Sequence, residues 1–511
     1  MPSNKIFKTF LSFLGIGSSI AFPISISSCV YLDKFQKISV TDSNVFFSDN
    51  NWLHTKNKFD HDIMCAYPGG SYIKVAFYGN TIGIDTYCFD FNTNNSSSFP
   101  KLVILSCYID GSDTPIVKHL SEALGNILIF SDSLKDNSDG LPHTAKICIS
   151  IIQENQENKN RFSWPNAVVV QNILIEKHKT IVDPTSVNDP KNPSLQFKRS
   201  KNVLIYGDSL IECSTVGSDY ESNAKMWEAN DYEYSLVGLN ELYLNPSSGS
   251  HQQFYDDNNP LSTSTLWNRF NDKYSRLDEN NKFTIKPDLI VLNIGTNDAL
   301  NSVTATDMTS TLTKWINHIA SLYDNARPNI MIQTPYLFDN SNYQTYREAY
   351  TNAYKDLFSS YRVSRLNMLY LMDLSLGADW VVYYQSDDKI HPNKNGCESL
   401  TKLMEVASTP TNPTNVSISV SESKIKVQWS NPTSEPKYSI LPIISSYEIS
   451  FKKKDQSDRN EPNHINYDPN ETSYVFESDS LETGDWEIRI RSENQLINKY
   501  SDGVIKEESI P

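Results

Sequence analysis

The sequence predicts a multidomain chain: a jelly-roll-like β-sandwich, then an α/β domain on a parallel sheet, then a second, smaller β-sandwich. Three observations carry this. The length of 511 residues gives about three domains at about 150 residues each. Two Pro-rich stretches, 183–197 and 408–413, divide the chain. The hydrophobic period also changes at each of them, from two, to buried apolar runs alternating with helical spacing, and back to two.

The first region spans 40–182. Ile73, Val75 and Phe77 alternate with Tyr72, Lys74 and Ala76, and a Gly79-Asn80 turn leads to Ile82–Tyr87. Leu102–Ile109, closed by Asp110-Gly111, then Ala145–Gln153 and Ala167–Ile175, continue the series of short strands expected of a sandwich. The linker at 183–197 holds Asp183-Pro184, Asp189-Pro190 and Asn192-Pro193, which exclude a helix or a central strand. From 198 to 407 the apolar runs Val203–Tyr206, Leu289–Ile294, Ile330–Gln333 and Leu369–Leu374 have buried-strand length. Met308, Leu312, Trp315, Ile316, Ile319 and Leu322 fall three or four apart after a Thr306/Asp307 cap. Strand and helix in alternation predict a parallel sheet with helices on both faces. After the linker at 408–413, the segment 414–511 alternates again at Val416, Ile418 and Val420, at Ile425, Val427 and Trp429, and at Trp486, Ile488 and Ile490.

Composition narrows the function. A net charge of −16 with no Lys/Arg block argues against a nucleic-acid partner, because phosphate binding needs clustered cations. Hydrophobic content of 39% excludes wholesale disorder. Seven Cys are too few for a disulfide scaffold. The pairing of Cys65, Cys88, Cys107, Cys148, Cys213 and Cys397 is not legible. The nine His are scattered, and His54, His61 and Cys65 form a loose group without a second pair, so neither metal nor cofactor is expected.

Residues 1–29 read as an address. Lys5 and Lys8 precede an apolar stretch from Phe10 to Ile26, which ends in Ile26-Ser27-Ser28-Cys29. The tetrapeptide resembles the lipobox of bacterial lipoproteins. That resemblance implies acylation at Cys29 and a chain tethered to the outer face of a bacterial membrane.

Three motifs carry chemistry. Val203–Tyr206 runs into Gly207-Asp208-Ser209, which places a hydroxyl where ligands gather, at the carboxyl end of a parallel strand. Leu289–Ile294 runs into Gly295-Thr296-Asn297-Asp298, and an amide there can donate to a developing oxyanion. In Asp388-Lys389-Ile390-His391-Pro392-Asn393 a carboxylate stands three residues before a His. It can fix the tautomer of His391, which can then take the proton of Ser209, while Asn393 can cap a helix over Lys394–Val406.

In this order the motifs resemble the SGNH (GDSL-type) hydrolases, a resemblance that covers about 200 of the 511 residues. The resemblance implies a flavodoxin-like three-layer fold and ester hydrolysis through an acyl-enzyme. It makes Ser209 the nucleophile, His391 the base and Asp388 the acid; Asp387 lacks the family spacing. It builds the oxyanion hole from Ser209, Asn297 and a Gly, either Gly249 or Gly238, with His251 read as an ordinary surface residue. The stretch after Cys213 reads as an insertion. A sandwich ahead of such a domain, with Asp110-Gly111 and Leu141-Pro142-His143, is similar to two-domain carbohydrate esterases. The last segment resembles a fibronectin type III module through Trp429, Tyr447 and Trp486, although Trp486 stands where that family usually has a Tyr. The expected function is therefore a surface-tethered serine esterase. It would act on short acyl groups, O-acetyl foremost, of a carbohydrate or other ester, with the C-terminal module as a spacer or as a docking surface for an extracellular partner. A lysophospholipase or lipase, or a catalytically silent glycan-binding adhesin, are the rivals.

Overall fold

The computed structural model describes residues 34–57, 59–67, 69–86, 102–120, 127–137, 139–153, 167–212, 221–239, 241–244, 252–262, 264–271, 274–334, 343–364, 367–374, 394–434 and 441–511. Cys29 lies outside these residues, and among them no helix is long and apolar enough to cross a membrane.

Two six-stranded antiparallel sheets make up the N-terminal part. One contains Trp52–Lys56, Asp62–Ala66, Ile82–Thr86, Ile127–Ser131 and Val168–Glu176, with Phe35–Ser39, ahead of the expected start at 40, paired to the last. The other contains Tyr72–Phe77, Leu102–Ile109, Ile116–His119, His143–Gln153 and Ile181–Val182, with Val45–Phe47 on Tyr72–Phe77. Ile73, Val75 and Phe77 enter the apolar core of this part, as their alternation predicts. Their neighbours Tyr72, Lys74 and Ala76 are buried as well, because the next part of the chain covers that face. Cys65 and Cys107 are buried thiols outside any disulfide, and burial pushes the Cys65 thiol up to about 12. His54 and His61 bond to Asp62 and Gln171, and among the described residues no three His, Cys, Asp or Glu form a metal cluster.

The segment 183–197 holds one 3-10 turn, Pro184–Ser186, and an isolated bridge between Asn188 and Gln196. It is pinned: Asp189 pairs with Arg199, and the Lys74 ammonium donates to the Phe197 carbonyl at 2.9 Å.

Five parallel strands come next: β1 (Lys201–Gly207), β2 (Tyr232–Gly238), β3 (Leu289–Asn293), β4 (Asn329–Gln333) and β5 (Leu369–Met372). Their order is β2-β1-β3-β4-β5, the flavodoxin-like order. The helices are α1 (Ser209–Glu212), α2 (Glu221–Glu228), α3 (Thr296–Leu300), α4 (Ala305–Tyr323), α5 (Tyr343–Tyr361) and α6 (Lys394–Ser408). Helix α2 packs on α6, and α4 on α5. The apolar face of α4 is buried at the expected Met308, Leu312, Trp315, Ile316 and Ile319. Its cap is Thr304 rather than Thr306/Asp307, because the Thr304 hydroxyl reaches the Asp307 amide at 3.1 Å.

Strand β2 is the element that the hydrophobic pattern misses. It reads Tyr-Glu-Tyr-Ser-Leu-Val-Gly, and every residue of it is buried. Glu233 interrupts the apolar run because its partner comes from the other layer. Lys74 donates to Glu233 at 2.8 Å and lies 3.1 Å from Glu228, while Lys146 bonds both Glu228 oxygens at 3.0 and 2.9 Å. The Tyr72 hydroxyl donates to Glu233, and its ring lies 4.6 Å from that of Tyr234. Burial alone would raise the Glu228 carboxyl; Lys146 and Lys74 outweigh it and hold the group far below its ordinary range.

Helix α6 ends at Ser408, and Thr414–Ser421 begins the C-terminal sandwich. Its three-stranded sheet contains Thr414–Ser421, Lys424–Ser430 and Ser473–Glu477, and its five-stranded sheet contains Ser446–Lys453, Asn463–Asn466, Gly484–Asn494, Lys499–Tyr500 and Val504–Ile510. Trp429 is fully buried between Tyr447 and Tyr474, and the Trp486 ring donates to the Glu482 carbonyl at 3.0 Å. This sandwich is fastened to the parallel sheet and to the end of α6: Tyr232 donates to the Leu496 carbonyl at 2.8 Å and Asn494 to the Ser408 carbonyl at 2.8 Å.

Lys74→Met leaves the buried Glu233 carboxylate without its cation, while Glu228 keeps Lys146, so thermal or urea unfolding should show a loss of about 3–5 kcal/mol. Adding Glu233→Gln should recover part of it. Asp49, near Glu233, offers a pH test. Burial first, then the Glu233 carboxylate, push Asp49 from 3.8 up to about 6. A carboxyl raised on folding costs nothing below its ordinary value, and the cost grows until pH passes about 6. Asp49→Asn should therefore raise the melting temperature at pH 7.5 and leave it nearly unchanged near pH 4. An equal shift at both values would show that this titration is not the cause.

Candidate active site at the carboxyl edge of the parallel sheet

The order of the parallel sheet reverses between β1 and β3, and in folds of this order ligands bind in the crevice beyond that switch point. The register brings three strand ends level there, with Gly207 of β1 beside Gly238 of β2 and Asn293 of β3. Ser209 opens α1 directly past β1, and Asn297 lies in the first turn of α3 directly past β3. Both ride on tight turns. A Cβ on Gly207 would meet Ile211 Cγ1 at 2.0 Å, so only glycine lets α1 fold back onto its strand. Gly295 has a φ of +123°, and a Cβ there would meet the Tyr350 hydroxyl at 2.7 Å. That hydroxyl donates to the Ile294 carbonyl, which holds the turn.

The two turns are tied by a residue that the motif reading passed over. The Asp208 carboxylate is fully buried and accepts from the Leu210 amide and from the Thr296 amide, both at 3.1 Å. One carboxylate thus holds the start of α1 and the start of α3. Asp298 makes the matching link on the other side: buried, it accepts from the Leu244 amide at 3.0 Å. Asn297 donates one Nδ2 hydrogen to the Leu242 carbonyl at 3.0 Å, which orients its amide against the segment after β2. Asn301 braces that segment by donating to the Tyr243 hydroxyl at 2.7 Å. Burial, then the Asp298 charge, raise the Tyr243 hydroxyl above its ordinary value, so it stays neutral. Position alone, next to the Ser and next to the Asn, was the available signal for Asp208 and Asp298.

Farther along the same edge, Asn293 donates to Gln333 at 3.1 Å, and Asp373, just past β5, accepts from Arg347 at 2.6 Å and from Thr334 at 3.1 Å. Ser209 and Asn297 are thus brought to one edge of the sheet, with Gly238 ending the adjacent strand. Asp388, His391, Gly249, Asp387, His251 and Asn393 lie outside the described residues. Helix α6, predicted over Lys394–Val406, forms over Lys394–Ser408.

Residues 260–398 match the GDSL-like Lipase/Acylhydrolase family. This segment contains Asn297, Asp388 and His391 and begins after Ser209; the match supports an ester hydrolase. No curated protein matches the chain. Among solved structures, a family two carbohydrate esterase from Cellvibrio japonicus superposes with a TM-score of 0.49 at 13% identity, covering 72% of this chain and 95% of that one. An acetyl xylan esterase from the rumen bacterium Butyrivibrio proteoclasticus gives 0.49 at 11% identity, covering 73% and 97%. A family two carbohydrate esterase from Clostridium thermocellum, in complex with cellohexaose, gives 0.48 at 11% identity, covering 71% and 98%. At these scores the likeness carries no argument of its own.

Asp208→Ala leaves two buried amide donors without an acceptor, and should cost about 1–3 kcal/mol in thermal unfolding. Asp208→Asn can restore only one of the two bonds, because its amide offers a donor to the other. Unchanged stability in the alanine variant would remove Asp208 from this role.

Proposed function

We propose that the protein is a serine esterase that removes short acyl groups, O-acetyl foremost, from a carbohydrate. Ser209 Oγ attacks the ester carbonyl while its proton passes to His391, which Asp388 orients. The carbonyl oxygen becomes an oxyanion facing the Ser209 amide, the free Nδ2 hydrogen of Asn297 and a glycine amide, from Gly249 or Gly238. Collapse returns the proton from His391 to the leaving sugar oxygen, and the acyl group stays on Ser209. Water, deprotonated by His391, then releases the acid by the same route in reverse.

One observation carries this reading: the bridge from Asp208 to the Thr296 amide, which locks the turn of Ser209 to the turn of Asn297 at the switch point. The matched GDSL-like segment supports the ester chemistry. The roles of Asp388, His391 and Gly249 rest on the motif. The carbohydrate assignment rests on the sandwich ahead of the hydrolase, the architecture that resembles two-domain carbohydrate esterases. We further read the chain as lipid-anchored at Cys29 on the outer face of a bacterial membrane, and the C-terminal sandwich as a fibronectin type III-like spacer or docking module.

The test is an ester panel of acetylated sugars, short nitrophenyl esters and lysolipids, run on wild type, Ser209→Ala and Asn297→Ala. Ser209→Ala should abolish turnover. Asn297→Ala should lower kcat by about 10²–10³ with KM little changed, since the oxyanion exists only in the transition state. Preference for lysolipids would replace the carbohydrate reading, and a destabilised but fully active Asn297→Ala would refute the oxyanion role.

A further inference from the structure

A second site lies at the opposite edge of the parallel sheet. A cavity of about 240 Å³ opens where the strands begin, between the sheet and the C-terminal sandwich. Lys201 starts β1, Tyr232 starts β2, Asp288 precedes β3 and Asn329 starts β4, and Leu496 closes the cavity from the sandwich side. At about 3.3 Å per residue, the length of β1 separates this cavity from the Ser209 edge by about 20 Å.

Three cations face it: Lys201, Lys286 and Arg327. Among the described residues none of them pairs with a carboxylate. Lys201 lies over the Tyr232 ring and makes only a long 3.4 Å bond to the Leu496 carbonyl. Lys286 is exposed, and no bond to its ammonium is found among the described residues. Arg327 is held in place by carbonyls: its Nε donates to Asp324 at 2.6 Å, and one terminal nitrogen donates to Tyr361 at 2.7 Å and Ser360 at 3.3 Å. Its guanidinium also lies 5.2 Å from the centre of the Tyr361 ring. The other terminal nitrogen keeps its hydrogens, and the carbonyls fix its position, so it can donate to an oxyanion.

One carboxylate, Asp288, lines the cavity, and it already accepts from the Asn202 amide at 2.8 Å. The neutral groups are largely committed. Tyr232 donates to Leu496, and Asn329 accepts from the Met368 amide and donates to the Asp288 carbonyl. What the cavity leaves open is therefore cationic, a local charge of +2 on a chain of net charge −16. Its volume is below the ~300–1,000 Å³ of drug-sized ligand pockets, so it suits one compact group.

We propose that this cavity is an anion-binding site for a single oxyanion group, taken either from a free inorganic anion or from an acidic sugar. Binding there leaves ester hydrolysis uninhibited, because the site opens on the other edge of the sheet.

The test is titration calorimetry of the full chain with inorganic phosphate and, separately, with glucuronate, at ionic strength held constant with chloride. Wild type should show saturable one-to-one binding of at least one of them. Lys286→Gln, at an exposed position outside the proposed catalytic machinery, should weaken that binding about tenfold with melting temperature and esterase activity unchanged. Tighter binding of glucuronate supports the site with a sugar as its source, and tighter binding of phosphate supports it with a free anion. No saturable binding of either, equal binding in wild type and Lys286→Gln, or inhibition of ester hydrolysis at the same concentrations would each overturn the proposal.

Discussion

The structure depends on one buried polar contact, between Lys74 of the N-terminal sandwich and Glu233 of the parallel sheet. Both side chains are almost entirely out of water, at 1% and 2% exposure. Neither charge is tolerable there alone. Each therefore requires the other layer, and their neighbours Tyr72, Lys146, Glu228 and Arg199 complete the set of donors and acceptors. An apolar seam could slide, whereas this one has a single register. The contact also makes β2 possible, because an edge strand that is buried throughout and carries Glu233 is stable only with the sandwich against it.

The same arrangement of charge recurs at the candidate site on a smaller scale. Asp208 is withdrawn from solvent and satisfied by backbone amides on two different turns. Asp298 does the same for the segment after β2. Both carboxylates are fully buried. They hold the backbone that presents Ser209 and Asn297, so the polar side chains at the strand ends inherit the rigidity of the sheet. The carboxyl edge is thus organised by buried anions, whereas the amino edge gathers Lys201, Lys286 and Arg327 around the single carboxylate of Asp288. Opposite edges of one sheet carry opposite electrostatic designs.

The sequence by itself determined the elements whose cause is local. Alternation set the strands Tyr72–Phe77 and Lys424–Ser430, continuous apolar runs set β1, β3, β4 and β5, and the three-four spacing set α4. Gly-Asp-Ser and Gly-Thr-Asn-Asp marked where two strands end in polar turns, because tight turns need glycine and the residues just past a parallel strand face the ligand crevice. Tertiary structure alone decided the rest. Alternation set Tyr72 and Lys74 on the face opposite Ile73, Val75 and Phe77, and only the tertiary structure shows a second layer burying that face. The pattern hid β2, because a glutamate in a buried strand reads as a break until its lysine arrives from far along the chain. It gave no basic cluster, since Lys201, Lys286 and Arg327 are dispersed along the chain and meet only where parallel strands begin side by side. Local periodicity records what each residue prefers in isolation. Pairing between distant charges, which overrides that preference, exists only once the chain has closed on itself.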